Sequence, residues 1–185
     1  KCDLTGANLR GSIIHQSNLR ESILVDADLQ WVYFNRVNLR GADLRRADLR
    51  NSWLDATDLR GANLSYADLD NAQFTRVNLS NANLKKAYAA DGNLSGSILA
   101  GANLSQIDLS GTNLSGVDLR YAYLVGSTLD NTDLSNAILT KAQMRKINLR
   151  GANLQNANLR MADLRYADLT GADLSTADLS HSSLE

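Results

Sequence analysis

Residues Gly151 to Leu179 read GANLQNANLRMADLRYADLTGADLSTADL, and in them the triplet Ala-Asn/Asp-Leu returns six times, centred on Leu154, Leu159, Leu164, Leu169, Leu174 and Leu179. A period of five suits neither common element. On an α-helix, residues five apart are rotated by about 500°, roughly 140° beyond a full turn, so these leucines would wind around it. On a flat strand an odd period throws alternate leucines onto opposite faces. One side can hold them all only if the backbone turns a corner every five residues. Each unit then reads as a short extended triplet and a two-residue bend, with Ala and Leu inward and Asn or Asp outward between them. Such a chain coils.

The period extends outward from this stretch over the whole sequence, and internal repeats take precedence over any other reading. Every fifth position from Leu4 to Leu184 is Leu except Ile14, Phe34, Phe74, Ala89 and Met144, which makes 37 units without a slip. Two residues before each centre stands a small or β-branched residue, once Gly92. This A-(D/N)-L-x-x pattern resembles the pentapeptide-repeat proteins, compact cyanobacterial members among them, and the resemblance covers essentially all 185 residues. It implies an all-β fold, a right-handed quadrilateral parallel β-helix, with four units per coil and the central residue and its small predecessor filling the interior.

Four-sidedness can be tested from the residues alone. Every twentieth small position from residue 22 reads Ser22, Ala42, Ala62, Ala82, Ala102, Ala122, Ala142, Ala162, Ser182. The column from residue 17 reads Ser17, Val37, Thr57, Val77, Ser97, Val117, Ala137. One side is alanine and another is rich in β-branched residues, whereas a period of 15 mixes them. Twenty residues per coil predicts about nine coils and, at ~4.8 Å per stacked strand, a rod roughly 40–45 Å long. One domain over residues 1–185 is expected, with Leu44, Leu64, Leu84, Leu104 and Leu124 stacked as one core column. The one conspicuous irregularity, Lys85 to Gly92, reads as an old junction of repeat blocks or a local thinning of the core at Ala89.

Composition agrees and narrows the function classes. There is no proline, as stacked, paired coils require. The apolar residues arrive singly, so no 18-residue run exists to span a membrane. Nineteen basic residues balance twenty acidic ones, which gives no general drive toward nucleic acid or anionic lipid. Cys2, in a small inward position, reads as a buried alanine substitute and cannot form an internal disulfide. No signal peptide is recognisable, although the pattern begins in mid-unit, as after processing or trimming. A cytoplasmic setting is expected, or the periplasm or a thylakoid lumen where a signal peptide has been removed.

Chemistry is sparse. His15 and His181 lie near opposite ends, and no Cys/His spacing suits a metal. Asp28, Asp48 and Asp68 fall in one column, but arginines and backbone amides are their expected partners. No phosphate loop or nucleophile elbow appears, so no catalytic, cofactor-binding or metal residue is named and no enzyme is expected. Basic residues concentrate at 36–50 and 141–165, either paired with neighbouring Asp or forming a girdle for an acidic partner.

One constellation stands out. Ile13, Tyr33 and Trp53 replace outward Asn or Asp at intervals of twenty, and Trp31 occupies the corner leading into the same side. These side chains either lie flat over neighbouring strands or form a contact patch for a protein partner. A rod-shaped interaction scaffold is the resulting functional expectation. The family resemblance also admits a DNA mimic acting on a type II topoisomerase such as gyrase, against which the near-neutral charge counts. End-to-end homodimerisation, through the regular coils around Leu169, Leu174, Leu179 and Leu184, is a further expectation, since terminal coils otherwise show their interior to solvent.

Overall fold

A computed structural model describes residues 1–185. Unit 42–46, Ala-Asp-Leu-Arg-Arg, shows why the chain coils, because each of its five backbone N–H groups has a partner. Ala42 donates to the Leu39 carbonyl at 3.0 Å, closing the preceding turn, and Asp43 donates to Ser22 of the previous coil at 2.9 Å. Leu44 and Arg46 donate to Asn63 and Ser65 of the next coil, at 2.7 and 3.2 Å. The remaining donor, Arg45, is met by the Asp43 side chain at 3.3 Å. No backbone donor is left over, as a stacked strand requires.

That last contact explains the repeat's outward Asn or Asp. Without exception, wherever one stands before a central residue, its Oδ1 accepts the N–H two residues on, as Asn63 does from Ser65 and Asp178 from Ser180. Such Asx turns are a short polar side chain's usual way of serving its own backbone. The next residue then takes positive φ at all 36 corners, from 46° at Gln16 to 71° at Gly171. Where the fourth residue also donates back to the first, as Ala47 to Leu44 at 3.1 Å, the corner belongs to the type II class; the corners after Ile14, Phe34, Phe74 and Ala89 lack that bond.

Parallel bridges join residues twenty apart from Asp3↔Ile23 to Asp163↔Ser183. The chain therefore winds as a right-handed, four-sided β-helix without helices. Side one carries outward residues 3, 23, 43 and onward, side two 8, 28, 48, side three 13, 33, 53, and side four 18, 38, 58. Leu44, Leu64, Leu84, Leu104 and Leu124 follow one another up side one at 0–1% exposure, with Ala42, Ala62, Ala82, Ala102 and Ala122 buried beside them. The bridges continue through 85–92, where Ala89 falls between Leu69 and Leu109 and Gly92 between Ala72 and Thr112, and Thr112 Oγ1 donates to the Ala89 carbonyl at 2.6 Å.

Three places depart from this regularity. On side three the bridges lengthen into strands β1 (Ile13–His15), β2 (Tyr33–Asn35) and β3 (Trp53–Asp55), paired parallel with Ile13↔Tyr33↔Trp53 in register. Three successive rungs here have an apolar or aromatic residue in place of Asn or Asp, so no Asx turn ends the strand early, and such residues favour extended backbone. At Phe74 the large core ring accompanies an opened corner. Ser97 of the next coil bridges it, donating to the Phe74 carbonyl at 2.5 Å and accepting from Val77 N–H at 3.0 Å. Lastly, Cys2 is exposed rather than buried, because it lies in the first coil and is packed from one side only.

Candidate interaction surface

Strands β1 to β3 hold Ile13, Tyr33 and Trp53 outward in adjacent rungs, and the corner before β2 brings Trp31 to the same side. Trp31 sits at φ 59°, a conformation in which an L side chain is strained by about 1–2 kcal/mol. Its ring lies 6.1 Å from that of Trp53, tilted by 42°. The His15 ring meets Tyr33 edge-on, with centroids 5.6 Å apart. Ile13 is 68% exposed, Trp31 47% and Trp53 41%, while Tyr33 is half-buried and accepts a long contact from Asn35 Nδ2 at 3.4 Å. The four side chains named from the sequence thus come together as one open surface. Neither indole N–H has a hydrogen-bond partner in the chain, and none of the surface depressions includes these residues.

The rim of this surface is basic. Arg36, at the corner after β2, has no carboxylate within 4.0 Å. Arg10 reaches Gln30 Oε1 at 2.8 Å and stands 4.0 Å from Asp28. The one nearby acid on the same side, Asp55, is engaged by Arg76 at 3.3 Å.

Elsewhere the charges are largely spoken for. In each of five Asp-Leu-Arg triplets, Arg45, Arg50, Arg60, Arg120 and Arg165 fold back onto the Asp two residues earlier at 2.5–2.7 Å. These bonds hold Asp43, Asp58, Asp118 and Asp163 below the usual carboxylate range. In the stacked column, Arg50 spans Asp48 and Asp68, yet burial pushes Asp68 upward, with Asp70 and Asp48 adding repulsion. Arg46 pairs with Asp26, and Arg150 and Arg160 with Asp168 and Asp178, so three of the five basic residues in 36–50 and three of the six in 141–165 are neutralised in place. No group of three His, Cys, Asp or Glu side chains is arranged to hold a metal ion.

Sequence reasoning passed over a second set of aromatics. Lys86 lies over the Tyr66 ring at 5.6 Å, Lys141 over Tyr121 at 5.5 Å and Arg145 near Tyr166 at 5.6 Å. Tyr66, Lys86 and Tyr88 line a shallow depression with Gln106 and Asp108. The signal was present as Tyr and Lys spaced by twenty, the coil rise, at 66/86 and 121/141. No helix is long and apolar enough to cross a membrane.

Comparison with known proteins places this geometry. The family model for pentapeptide repeats (8 copies) matches residues 2–41, 42–81, 78–116, 112–151 and 142–180. Among solved structures, a trypsin-treated form of QnrB1, a plasmid-mediated fluoroquinolone resistance protein, superposes with a TM-score of 0.84 at 20% identity, over 92% of this chain and 87% of that one. HetL, a pentapeptide repeat protein involved in heterocyst differentiation regulation in the cyanobacterium Nostoc sp. strain PCC 7120, is 31% identical over 96% of this chain and 89% of its own, with a TM-score of 0.48. No curated protein matches the sequence. The repeat, its corners and its twenty-residue rise together make this chain a member of the pentapeptide-repeat family.

Proposed function

We propose that this protein is a non-enzymatic interaction scaffold, a rod that presents a protein-binding patch on side three of its first three coils. The observation that carries the reading is the outward cluster of Ile13, Trp31 and Trp53, left open by the chain's own packing, with Tyr33 half-buried among them. Exposed apolar side chains gathered in one place mark a contact surface far more often than scattered ones do. Aromatics and Arg are also the residue types that dominate binding energy at interfaces. Replacing Tyr33 and Trp53 by Asn, the repeat's own choice, is expected to leave the fold intact and abolish capture of a specific partner from native lysate. Retention of that partner by the double variant would overturn the reading.

A DNA mimic would need a dominantly acidic face. Here five of the carboxylates are covered by their own arginines, and formal net charge is −1. Self-association is proposed at the far end of the rod, where Leu169, Leu174 and Leu179 are half-buried and Leu184 is exposed. Sedimentation should then show dimer at high micromolar concentration, and a strict monomer would rule it out.

A further inference from the structure

Resting on the patch reading, we infer that the occupant of side three is a proline-rich segment of another protein, bearing acidic residues beside its prolines and lying along the rod axis in a polyproline II conformation. Shape is the first support. The aromatic surface is open and lies outside every depression of the rod, which suits a slender ligand laid across side chains rather than a small molecule enclosed by them. Polyproline segments are recognised chiefly through aromatic rings, and because their helix is preformed they lose little entropy on binding.

Spacing is the second support. A polyproline II helix repeats every three residues and rises about 3.1 Å per residue, so prolines at i and i+3 share one face about 9.3 Å apart. Rungs of side three are ~4.8 Å apart, so Ile13 and Trp53, two rungs apart in register, are separated by about 9.6 Å. A Pro-x-x-Pro segment can therefore rest one proline on Trp53, steadied by the tilted Trp31 ring, and the next on Ile13, with Tyr33 beneath the intervening turn.

Hydrogen bonding and charge complete the fit. A polyproline backbone makes no internal hydrogen bonds, so its carbonyls need donors, and the indole N–H groups of Trp31 and Trp53 have no partner within the chain. The rim offers Arg36 without a carboxylate and Arg10 on the opposite corner, which favours Asp or Glu flanking the prolines. The 185 residues contain no proline, so the segment is not supplied by this sequence or a second copy of it.

Both tryptophans of the chain lie in the patch, so tryptophan emission, excited selectively at the red edge where tyrosine does not absorb, reports on this site alone. The test is titration of the intact protein with a synthetic Asp-Pro-x-x-Pro-Glu peptide, a version with both prolines changed to Ala, and a version with Lys in place of the acids. Expected are a saturable emission change with the first peptide, at least tenfold weaker binding of the other two, and at least tenfold loss in Trp53→Asn. Arg36→Glu, an exposed change, should reverse the preference to the Lys peptide. No saturable change at millimolar peptide, equal binding of the alanine version, or selective binding of a soluble glucan oligomer would each overturn the inference. Where one of those results is obtained and the Tyr33→Asn, Trp53→Asn variant nevertheless loses a partner that wild type captures, the patch reading survives and only the proline-rich ligand is refuted.

Discussion

The Asn81 side-chain oxygen stands over Gly101 one coil later, so closely that a Cβ on residue 101 would lie 2.6 Å from it. Gly101 has φ 68°, so its backbone calls for glycine, while the exposed Asn81 side chain need only turn aside to admit a Cβ. At Gly116, with φ 64°, a Cβ would meet nothing within 4 Å, so only the backbone requirement applies. Both Gly101→Ala and Gly116→Ala are expected to cost about 1–2 kcal/mol for the positive φ, with Gly101→Ala the costlier by no more than a few tenths for the displaced Asn81 rotamer. Asn81→Gly should return the Gly101→Ala cost to that of Gly116→Ala, as chemical denaturation would measure.

Two buried hydroxyls, those of Ser52 and Thr57, have no hydrogen-bond partner. Thr57 lies between Val37 and Val77 in its column, so Thr57→Val extends an existing row and removes a desolvated polar group of the same shape. Stabilisation of about 1 kcal/mol is expected. Loss of stability on this substitution would show that the hydroxyl has a partner after all.

Leu104 is fully buried in the side-one column. Leu104→Ala should cost about 2–5 kcal/mol through lost burial and a residual void. Leu104→Lys should abolish cooperative folding, since the ammonium would have no partner in the stack. A thermal midpoint unchanged by the lysine would contradict the architecture.

Acid should loosen the rod through its Asp-Leu-Arg triplets. The arginine bonds hold Asp43, Asp58, Asp118 and Asp163 below their ordinary values, so their stabilisation is complete above the unfolded carboxylate value of about 4 and is lost as pH falls through the lower folded values. Asp68 acts in the opposite direction, because burial raises its folded value and any stability it contributes is lost as pH rises through that value. The thermal midpoint should therefore be level from pH 8 to 5 and fall below about 4. Replacing Asp58 and Asp118 by Asn should flatten that fall, and Asp68→Asn should raise the midpoint at neutral pH.

What could be read from the residues was whatever the period encodes by position. The twenty-residue rise was visible because Ala42, Ala62 and Ala82 share a column that Val37, Thr57 and Val77 do not. The outward column of Ile13, Tyr33 and Trp53 followed from the same arithmetic. Asn and Asp were legible as outward but not as turn-formers, since exposure and backbone capping select the same residues. The corner opened at Phe74 and bridged by Ser97 was hidden, because it depends on a hydroxyl contributed 23 positions later. The Tyr66–Lys86 and Tyr121–Lys141 pairs lay in corner positions where almost any residue is tolerated, so no local pattern marked them.

Because every bridge joins residues twenty apart and every unit has the same five-residue length, the interior and the exterior of this molecule respond differently to insertions. Adding one unit of five between two coils leaves each central leucine pointing inward, yet it turns everything downstream by a quarter of a revolution about the axis. Adding four units leaves all four faces aligned and lengthens the spacing between features by one rung, ~4.8 Å. Slippage of the gene in steps of fifteen nucleotides would therefore dial surface features around the rod, and slippage in steps of sixty would slide them along it. In this family, register is an adjustable coordinate for pointing a binding face, one that can change while the core stays as it is.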